Sequence, residues 1–356
     1  MAFIILDRQK LKENFEYLDN IFQKHNIQWS IVSKILCGNK DYLTELLNLG
    51  VKQVCDSRIT NLKRIKAINP NVETIFIKPP SRGVIKNVVR YADISMNTGF
   101  KTIKLLSKEA KVQNKVHKII IMIELGELRE GIMGEDLMAF YKSVFELENI
   151  EVVGIGTNFT CLYGVLPNQD KLIQLSLYEQ LIEAKFNRQI TYVSGGSSVV
   201  LPLISQGVLP KAINHFRVGE TLFLGTDVYN NSIIEDMHQD VFKFYCEIIE
   251  LIEKPVVPSG EMGQNVDGHS FEFDDELIGT TTYRAIIDIG LLDVGQEHIE
   301  LTDKSITFVG ASSDMFVVDL GENLNNYIIG NNIEVKMDYM GLLRLMNCRY
   351  IDKRVV

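Results

Sequence analysis

Cationic side chains fall at the ends of apolar segments in the first two thirds of the sequence. Lys34 lies in "SIVSKI" at 30–35, and Arg129 lies in "GELRE", just after the apolar segment 118–125. Arg217 follows in "HFRVGE". Lysine and arginine are rarely buried unless they have a partner. Cations repeated at segment ends therefore indicate a site for a substrate that carries anionic groups.

A short run of serine and glycine adds a second type of chemistry. Two glycines let backbone amides approach an anion closely, serines offer hydroxyl donors, and the apolar "VVLPLIS" that follows predicts a helix. This pattern is typical of a phosphate site, and the alternative is a plain helix N-cap. A phosphate site together with a lysine that can bond to an aldehyde indicates pyridoxal 5'-phosphate. The predicted phosphate-binding residues are Ser194, Gly195, Gly196, Ser197 and Ser198.

Short apolar segments alternate with amphipathic ones from about residue 30 to 220. In "DKLIQLSLYEQLIEA", Leu172, Leu175, Tyr178 and Leu181 recur at helical spacing and are predicted to share one face. Such alternation predicts parallel strands joined by helical crossovers. Eight strands would close a (β/α)8 TIM-type barrel, whereas an open doubly wound sheet is the alternative. The predicted strands lie in 30–35, 52–57, 73–79, 92–97, 118–125, 151–158, 190–196 and 213–219.

Beyond the barrel the pattern becomes mainly β. Strand-like segments such as "VFKFYCEIIELI" and "NNIEVKM" are separated by turn-rich stretches, and no long amphipathic helix lies between them. We therefore predict an α/β barrel domain at 1–228 and a mainly β C-terminal domain at 229–356.

Composition excludes several classes of protein. The net charge of -9 argues against a nucleic-acid-binding surface. The five cysteines form no CxxC pair, so neither a metal site nor a disulfide framework is expected. No segment approaches the ~20 apolar residues of a membrane span, and the apolar start of the chain is too short for a signal peptide. These features predict a cytoplasmic protein that binds no membrane.

Six motifs in order resemble the alanine racemase type of pyridoxal-phosphate enzyme, and within it the ornithine racemase branch. They are "VSKILCGN", "ELGELREGI", "GIGTNFTC", "YVSGGSS", "HFRVGETLFLG" and "GASSDMFVVDL". The resemblance covers almost the whole chain. It implies a barrel followed by a β domain, a homodimer, and racemisation of a free amino acid, here with a basic side chain such as ornithine.

The resemblance also implies roles for the cations. Lys34 matches the lysine that holds the cofactor and acts as a base. Arg217 matches the arginine that faces the pyridine nitrogen, and a salt bridge to Glu220 is the alternative. A guanidinium stays protonated, so it leaves the ring nitrogen unprotonated and makes the cofactor a weaker electron sink. That restraint favours return of the proton to the α-carbon.

Further residues match substrate-binding positions of the family. Arg129 aligns with an arginine near the substrate carboxylate, and an ion pair with Glu127 or Glu130 is the alternative. Asn158 could contact the cofactor or serve as a turn residue. Ser313 and Asp314 match a β-domain loop that reaches the neighbouring active site.

The second proton-transfer group departs from the family pattern. Alanine racemases use a tyrosine of the partner's β domain, but "PSGEMGQNVDG" contains none, and Glu261 is the predicted base there. Tyr283 and Cys161 are the alternatives. Rival functions on the same scaffold are a D-amino-acid aldolase, a decarboxylase and a non-catalytic pyridoxal-phosphate binding protein.

Overall fold

The computed structural model describes residues 1–264, 268 and 270–356. It divides the chain into two compact units. One unit is Arg8–Val241, and the other combines Met1–Asp7 with Phe242–Val356. The predicted boundary lay at 228, and the first seven residues were assigned to the barrel. They lie in the second unit because Phe3–Leu6 pairs with two of its strands.

The first unit is built on a closed barrel of eight parallel strands. Each of the eight predicted segments overlaps one of them, so the barrel prediction is confirmed and the open sheet is wrong. The chain begins with β1 (Phe3–Leu6) of the second unit. The barrel strands are β2 (Gln28–Val32), β3 (Gln53–Asp56), β4 (Glu73–Phe76), β5 (Ile94–Asn97), β6 (His117–Met122), β7 (Ile150–Gly156), β8 (Tyr192–Ser197) and β9 (His215–Val218).

Helices cover the barrel and bury apolar residues against it, although the helix Gln169–Phe186 also exposes Ile173, Leu177 and Leu181. The longest is capped by Asn168, whose Oδ1 accepts from the Lys171 amide at 2.9 Å. None of the helices in the described part of the chain is long and apolar enough to span a membrane. They are α1 (Arg8–Lys24), α2 (Lys40–Asn48), α3 (Ile59–Ile68), α4 (Ile85–Tyr91), α5 (Phe100–Val112), α6 (Leu137–Phe145), α7 (Gln169–Phe186), α8 (Leu201–Ser205) and α9 (Glu220–Leu224), followed by the short strands β10 (Thr226–Asp227) and β11 (Ser232–Ile233).

The barrel interior combines an apolar cluster with polar side chains on several strands, among them Ser30 and Gln53. Residues two apart on a strand share a face, and the apolar inward side chains of β2 to β7 form one cluster. β8 and β9 instead carry Ser194, His215 and Arg217, all buried. The apolar cluster comprises Val32, Cys55, Ile75, Ile94, Met96, Ile120, Met122 and Val153.

The second unit is an eight-stranded, mainly antiparallel sheet. The sequence analysis predicts none of four elements of this unit: β1, the short strand Ile299–Leu301, the last strand, and a nine-residue helix whose cap Asp338 accepts from the Gly341 amide at 2.7 Å. β1 pairs antiparallel with the strand Phe242–Pro255 and parallel with the strand Asp352–Val355. The elements are β12 (Phe242–Pro255), β13 (Thr281–Ile287), β14 (Ile299–Leu301), β15 (Thr307–Ala311), β16 (Phe316–Asp319), β17 (Asn332–Met337), α10 (Tyr339–Asn347) and β18 (Asp352–Val355).

Candidate active site

Lys34 lies just beyond the carboxyl end of β2, in a single 3-10 turn, Ser33–Leu36. Its side chain is exposed, while the turn beneath it is fixed. Ser33 Oγ donates to Asp56 Oδ2 at 2.8 Å, and Asn61 Nδ2 also donates to that carboxylate, at 3.1 and 3.2 Å to its two oxygens. The lysine in the apolar segment is thus explained, because the strand ends at Val32 and places Lys34 at the barrel mouth.

Arg217 is 3% exposed and is held by neutral acceptors. Its Nη2 donates to the Thr157 carbonyl at 2.7 Å and to Asn158 Oδ1 at 2.6 Å, and its Nη1 donates to Ser194 Oγ. Burial lowers the pKa of the guanidinium, but arginine remains a cation in proteins. Because these acceptors carry no charge, the positive charge is not cancelled by a directly bonded carboxylate.

A hydrogen-bonded chain joins Arg217 to Arg129. Asn158 Nδ2 donates to Glu130, whose carboxylate also accepts from Arg129 Nε and, at 2.6 Å, from Arg129 Nη2. Burial lowers the pKa of Arg129, and the Glu130 carboxylate outweighs that effect, so the pKa is raised. The ion pair considered as an alternative for Arg129 is therefore present, and it belongs to the same network as Arg217.

The carboxylate of Glu127 organises the loop after β7. Glu127 is 2% exposed. Burial acts to raise its pKa, but hydrogen bonds from the loop amides prevail and the pKa is lowered. The β6 loop thereby holds the β7 loop in one conformation. The five donors are the backbone amides of Thr160, Cys161, Leu162, Tyr163 and Val165.

Cys161 stands on this loop, within electrostatic range of two predicted site residues. Its Sγ donates to the Phe159 carbonyl at 3.3 Å. Burial raises the pKa of the thiol, and the charges of Arg129 and Lys34 oppose that rise. The structure thus brings Lys34, Arg129 and Cys161 into one neighbourhood.

The serine and glycine run divides between two positions. The Ser194 hydroxyl lies inside the barrel, whereas Ser198 Oγ accepts from the amides of Gly219 and Thr221 at 3.3 and 3.5 Å. Ser198 therefore links the loops after β8 and β9, where barrels often bind phosphate. Ser197 makes no side-chain capping bond. The following helix is short: a 3-10 turn, Ser198–Val200, leads into the five residues of α8.

The remaining predicted site residues lie in the second unit. Glu261 is exposed, and part of its motif (residues 265–267) lies outside the described residues. Ser313 Oγ donates to Asp314 Oδ2 at 2.8 Å in the loop between β15 and β16. Tyr283 lies on β13 and is 37% exposed. The assignment of the second base stays a prediction.

Sequence reasoning gave no role to His215, and it considered Glu127 and Glu130 only as ion-pair partners of Arg129. All three lie within quoted motifs, "HFRVGE" and "GELRE". Carboxylates next to a predicted substrate arginine were the available signal. Nothing in the sequence indicates that Glu127 bonds to a loop more than thirty positions away.

The donor set fits pyridoxal phosphate. A lysine amine stands at the barrel mouth, and a buried arginine with neutral acceptors can donate to a ring nitrogen. Hydroxyls and glycines lie along β8 and in the turn that follows it. Among the described residues there is no group of three or more His, Cys, Asp or Glu side chains that could hold a metal ion. The barrel and this site define a pyridoxal-phosphate type of enzyme.

Comparison with known proteins gives the family. Residues 6–227 match the model of the alanine racemase N-terminal domain. Ornithine racemase of Acetoanaerobium sticklandii is 38% identical over 99% of each chain. Lysine racemase of Thermotoga maritima is 28% identical over 98% of this chain and 97% of its own.

A solved structure shares the fold. Alanine racemase from D-cycloserine-producing Streptomyces lavendulae superposes with a TM-score of 0.76 at 14% identity, over 100% of this chain and 97% of its own. The chain belongs to the alanine racemase family. The predicted fold, the predicted class of amino-acid racemase and the predicted cofactor are confirmed at the level of the family.

Proposed function

We propose that this protein racemises a free amino acid with a basic side chain, such as ornithine. The observation that carries the proposal is the gathering of Lys34, Arg129 and Arg217 at one end of the barrel. This gathering occurs in a chain that is 38% identical to an ornithine racemase along almost its full length.

When bound, pyridoxal phosphate acidifies the α-proton of an amino acid by withdrawing electrons from the α-carbon. Lys34 holds the cofactor and moves the proton on one face of the α-carbon through its amine Nζ. Arg217 donates to the pyridine nitrogen, and its bonds to Thr157 and Asn158 keep the guanidinium oriented. An arginine there limits the delocalisation of electrons into the pyridine ring. This favours return of the proton to the α-carbon.

Arg129 binds the substrate carboxylate, and Asn158 lies beside the cofactor in this proposal. The segment from Gly195 to Ser198, at the carboxyl end of β8, holds the phosphate. In a homodimer, Ser313 and Asp314 of one chain reach the active site of the other, and Glu261 supplies the second proton-transfer group. We further propose a cytoplasmic location and no membrane or nucleic-acid partner.

Two observations argue against the rival functions of decarboxylase and non-catalytic cofactor-binding protein. A decarboxylase of this fold is expected to face the pyridine nitrogen with a glutamate, whereas Arg217 occupies that position. A cofactor-binding protein without catalysis is expected to lack the second unit, which here spans Phe242–Val356.

The test is exchange of the α-proton in deuterated water, across ornithine, lysine and alanine. Ornithine is expected to exchange and to racemise fastest. Lys34→Ala should abolish both processes, because the amine that moves the proton is gone. Lys40→Ala is the matched control, since Lys40 is also exposed and opens α2 six residues later. Loss of activity in the control, or no exchange in the wild type, would overturn the proposal.

Borohydride reduction tests the role of Lys34 directly. Reduction should fix the cofactor to the peptide that contains Lys34, and mass spectrometry locates the modified residue. Modification of another lysine instead would contradict the assignment.

A further inference from the structure

A polar column crosses the interior of the barrel below Arg217. Ser194 Oγ lies 2.7 Å from His215 Nδ1, and His215 Nε2 lies 2.8 Å from Gln53 Oε1. Gln53 Nε2 donates to Glu73 Oε2. Apolar side chains normally fill a barrel of this type. A buried polar column is stabilising only if each of its groups is satisfied. The direction of each hydrogen bond can therefore be deduced from the groups that can only donate or only accept.

Both ends of the column permit only one direction of donation. Arg217 can only donate, and the carboxylate of Glu73 accepts. Gln53 gives its Nε2 hydrogen to Glu73, so it turns its amide oxygen Oε1, which can only accept, towards His215 Nε2. His215 therefore carries its hydrogen on Nε2, and its neutral Nδ1 accepts from Ser194 Oγ, which itself accepts from Arg217. Each hydrogen bond runs from the guanidinium towards the carboxylate.

The column contacts the same guanidinium that we assign to the cofactor ring. His215 and Arg217 are two residues apart on β9, so both point into the barrel. Ser30 Oγ lies 2.7 Å from His215 Nε2 and also bonds to Gln53, which holds the imidazole in place. The guanidinium thus has one polarised chain on Nη1, opposite the Thr157 and Asn158 bonds on Nη2.

We propose that Ser194 and His215 are positioning residues, and that the neutral Nε2–H tautomer of His215 fixes the orientation of Arg217 towards the cofactor. The Ser194 hydroxyl then accepts the hydrogen bond from Arg217 and does not bind the phosphate. The inference rests on the proposed function for its role in racemisation, but the tautomer is a property of the protein alone.

The first test needs neither cofactor nor variant. Nitrogen NMR of histidine-labelled protein should show His215 as Nε2–H, assigned through its contact with the Tyr192 ring at 5.1 Å between centroids. Burial, and after it the charge of Arg217, lowers the pKa of His215 to about 3, so this state should persist through neutral and mildly acidic pH. An Nδ1–H tautomer or a protonated imidazole at neutral pH would overturn the proposal.

The second test compares two serines in matched settings. Ser95 Oγ lies 2.8 Å from Nε2 of buried His117 and accepts from Asn97 Nδ2 at 2.9 Å, but this cluster does not touch Arg217. Ser194→Ala and Ser95→Ala should lose similar stability. Ser194→Ala alone should shift the cofactor absorbance and lower kcat at least about tenfold, because a hydrogen bond to a charged group is lost.

The affinity for pyridoxal phosphate separates the two roles of Ser194. An unchanged affinity in Ser194→Ala supports positioning, whereas a large loss with an unchanged spectrum would assign the hydroxyl to the phosphate and overturn the inference. An equal fall of kcat in Ser95→Ala would also overturn it. If Ser194→Ala does not fold, the wild-type tautomer decides. A wild type that binds no cofactor refutes the proposed function and leaves the tautomer result standing.

Discussion

Replacement of Glu127 by glutamine should release the loop that carries Cys161. Glu127 Oε1 accepts from three loop amides and Oε2 accepts from two, those of Thr160 and Val165. In its best orientation a glutamine keeps the three bonds and turns its NH2 group towards the other two donors. Each unsatisfied buried donor costs about 1–3 kcal/mol. Because these two amides are only part-buried, we take the low end of that range, about 1 kcal/mol for each amide. The total cost is then about 2 kcal/mol.

A cost of about 2 kcal/mol raises the population of the open loop about thirtyfold. Hydrogen exchange followed by mass spectrometry should report this over residues 159–166. Glu124→Gln is the control. Glu124 lies in the same loop as Glu127 but accepts a single backbone bond, from Gly126. Unchanged exchange in Glu127→Gln, or an equal effect in both variants, would refute the reasoning.

The same carboxylate gives a pH dependence with a definite sign. The folded pKa of Glu127 is lowered, so its stabilising contribution is complete above the unfolded pKa of about 4.3. The contribution is lost as the pH falls through the folded value. The difference in free energy of unfolding between wild type and Glu127→Gln should therefore be constant near neutrality and shrink in acid. A difference that grows on acidification would contradict this account.

Three further predictions concern the reaction and the assembly. Arg217→Glu should slow racemisation by at least about a hundredfold and add transamination, measured by chiral chromatography and keto-acid formation. Unchanged products would count against the role of Arg217. Glu261→Gln should stop racemisation while one enantiomer still exchanges its α-deuterium through Lys34. Normal racemisation would instead direct attention to Cys161→Ser and Tyr283→Phe. Light scattering should give the mass of two chains, and the mass of one chain would refute the dimer.

Much of the architecture was readable from the sequence because it rests on local periodicity. A buried parallel strand is a short apolar segment, and a covering helix is amphipathic, so β2 to β9 could be located one by one. The residues at their carboxyl ends then had to lie on one rim. Lys34, Asn158 and Arg217 were found in this way, since strand ends of a closed barrel converge whatever the loops do.

Other features depend on contacts between distant segments. β1 is a plain apolar tetrapeptide, and only its pairing with Phe242–Tyr245 and Asp352–Val355 assigns it to the second unit. Likewise, no local pattern indicates that Glu127 bonds to the β7 loop, or that His215 lies between Ser194 and Gln53. Hydrogen-bond direction and burial belong to the assembled barrel, because they depend on which donor-only and acceptor-only groups the fold places at each end of the column.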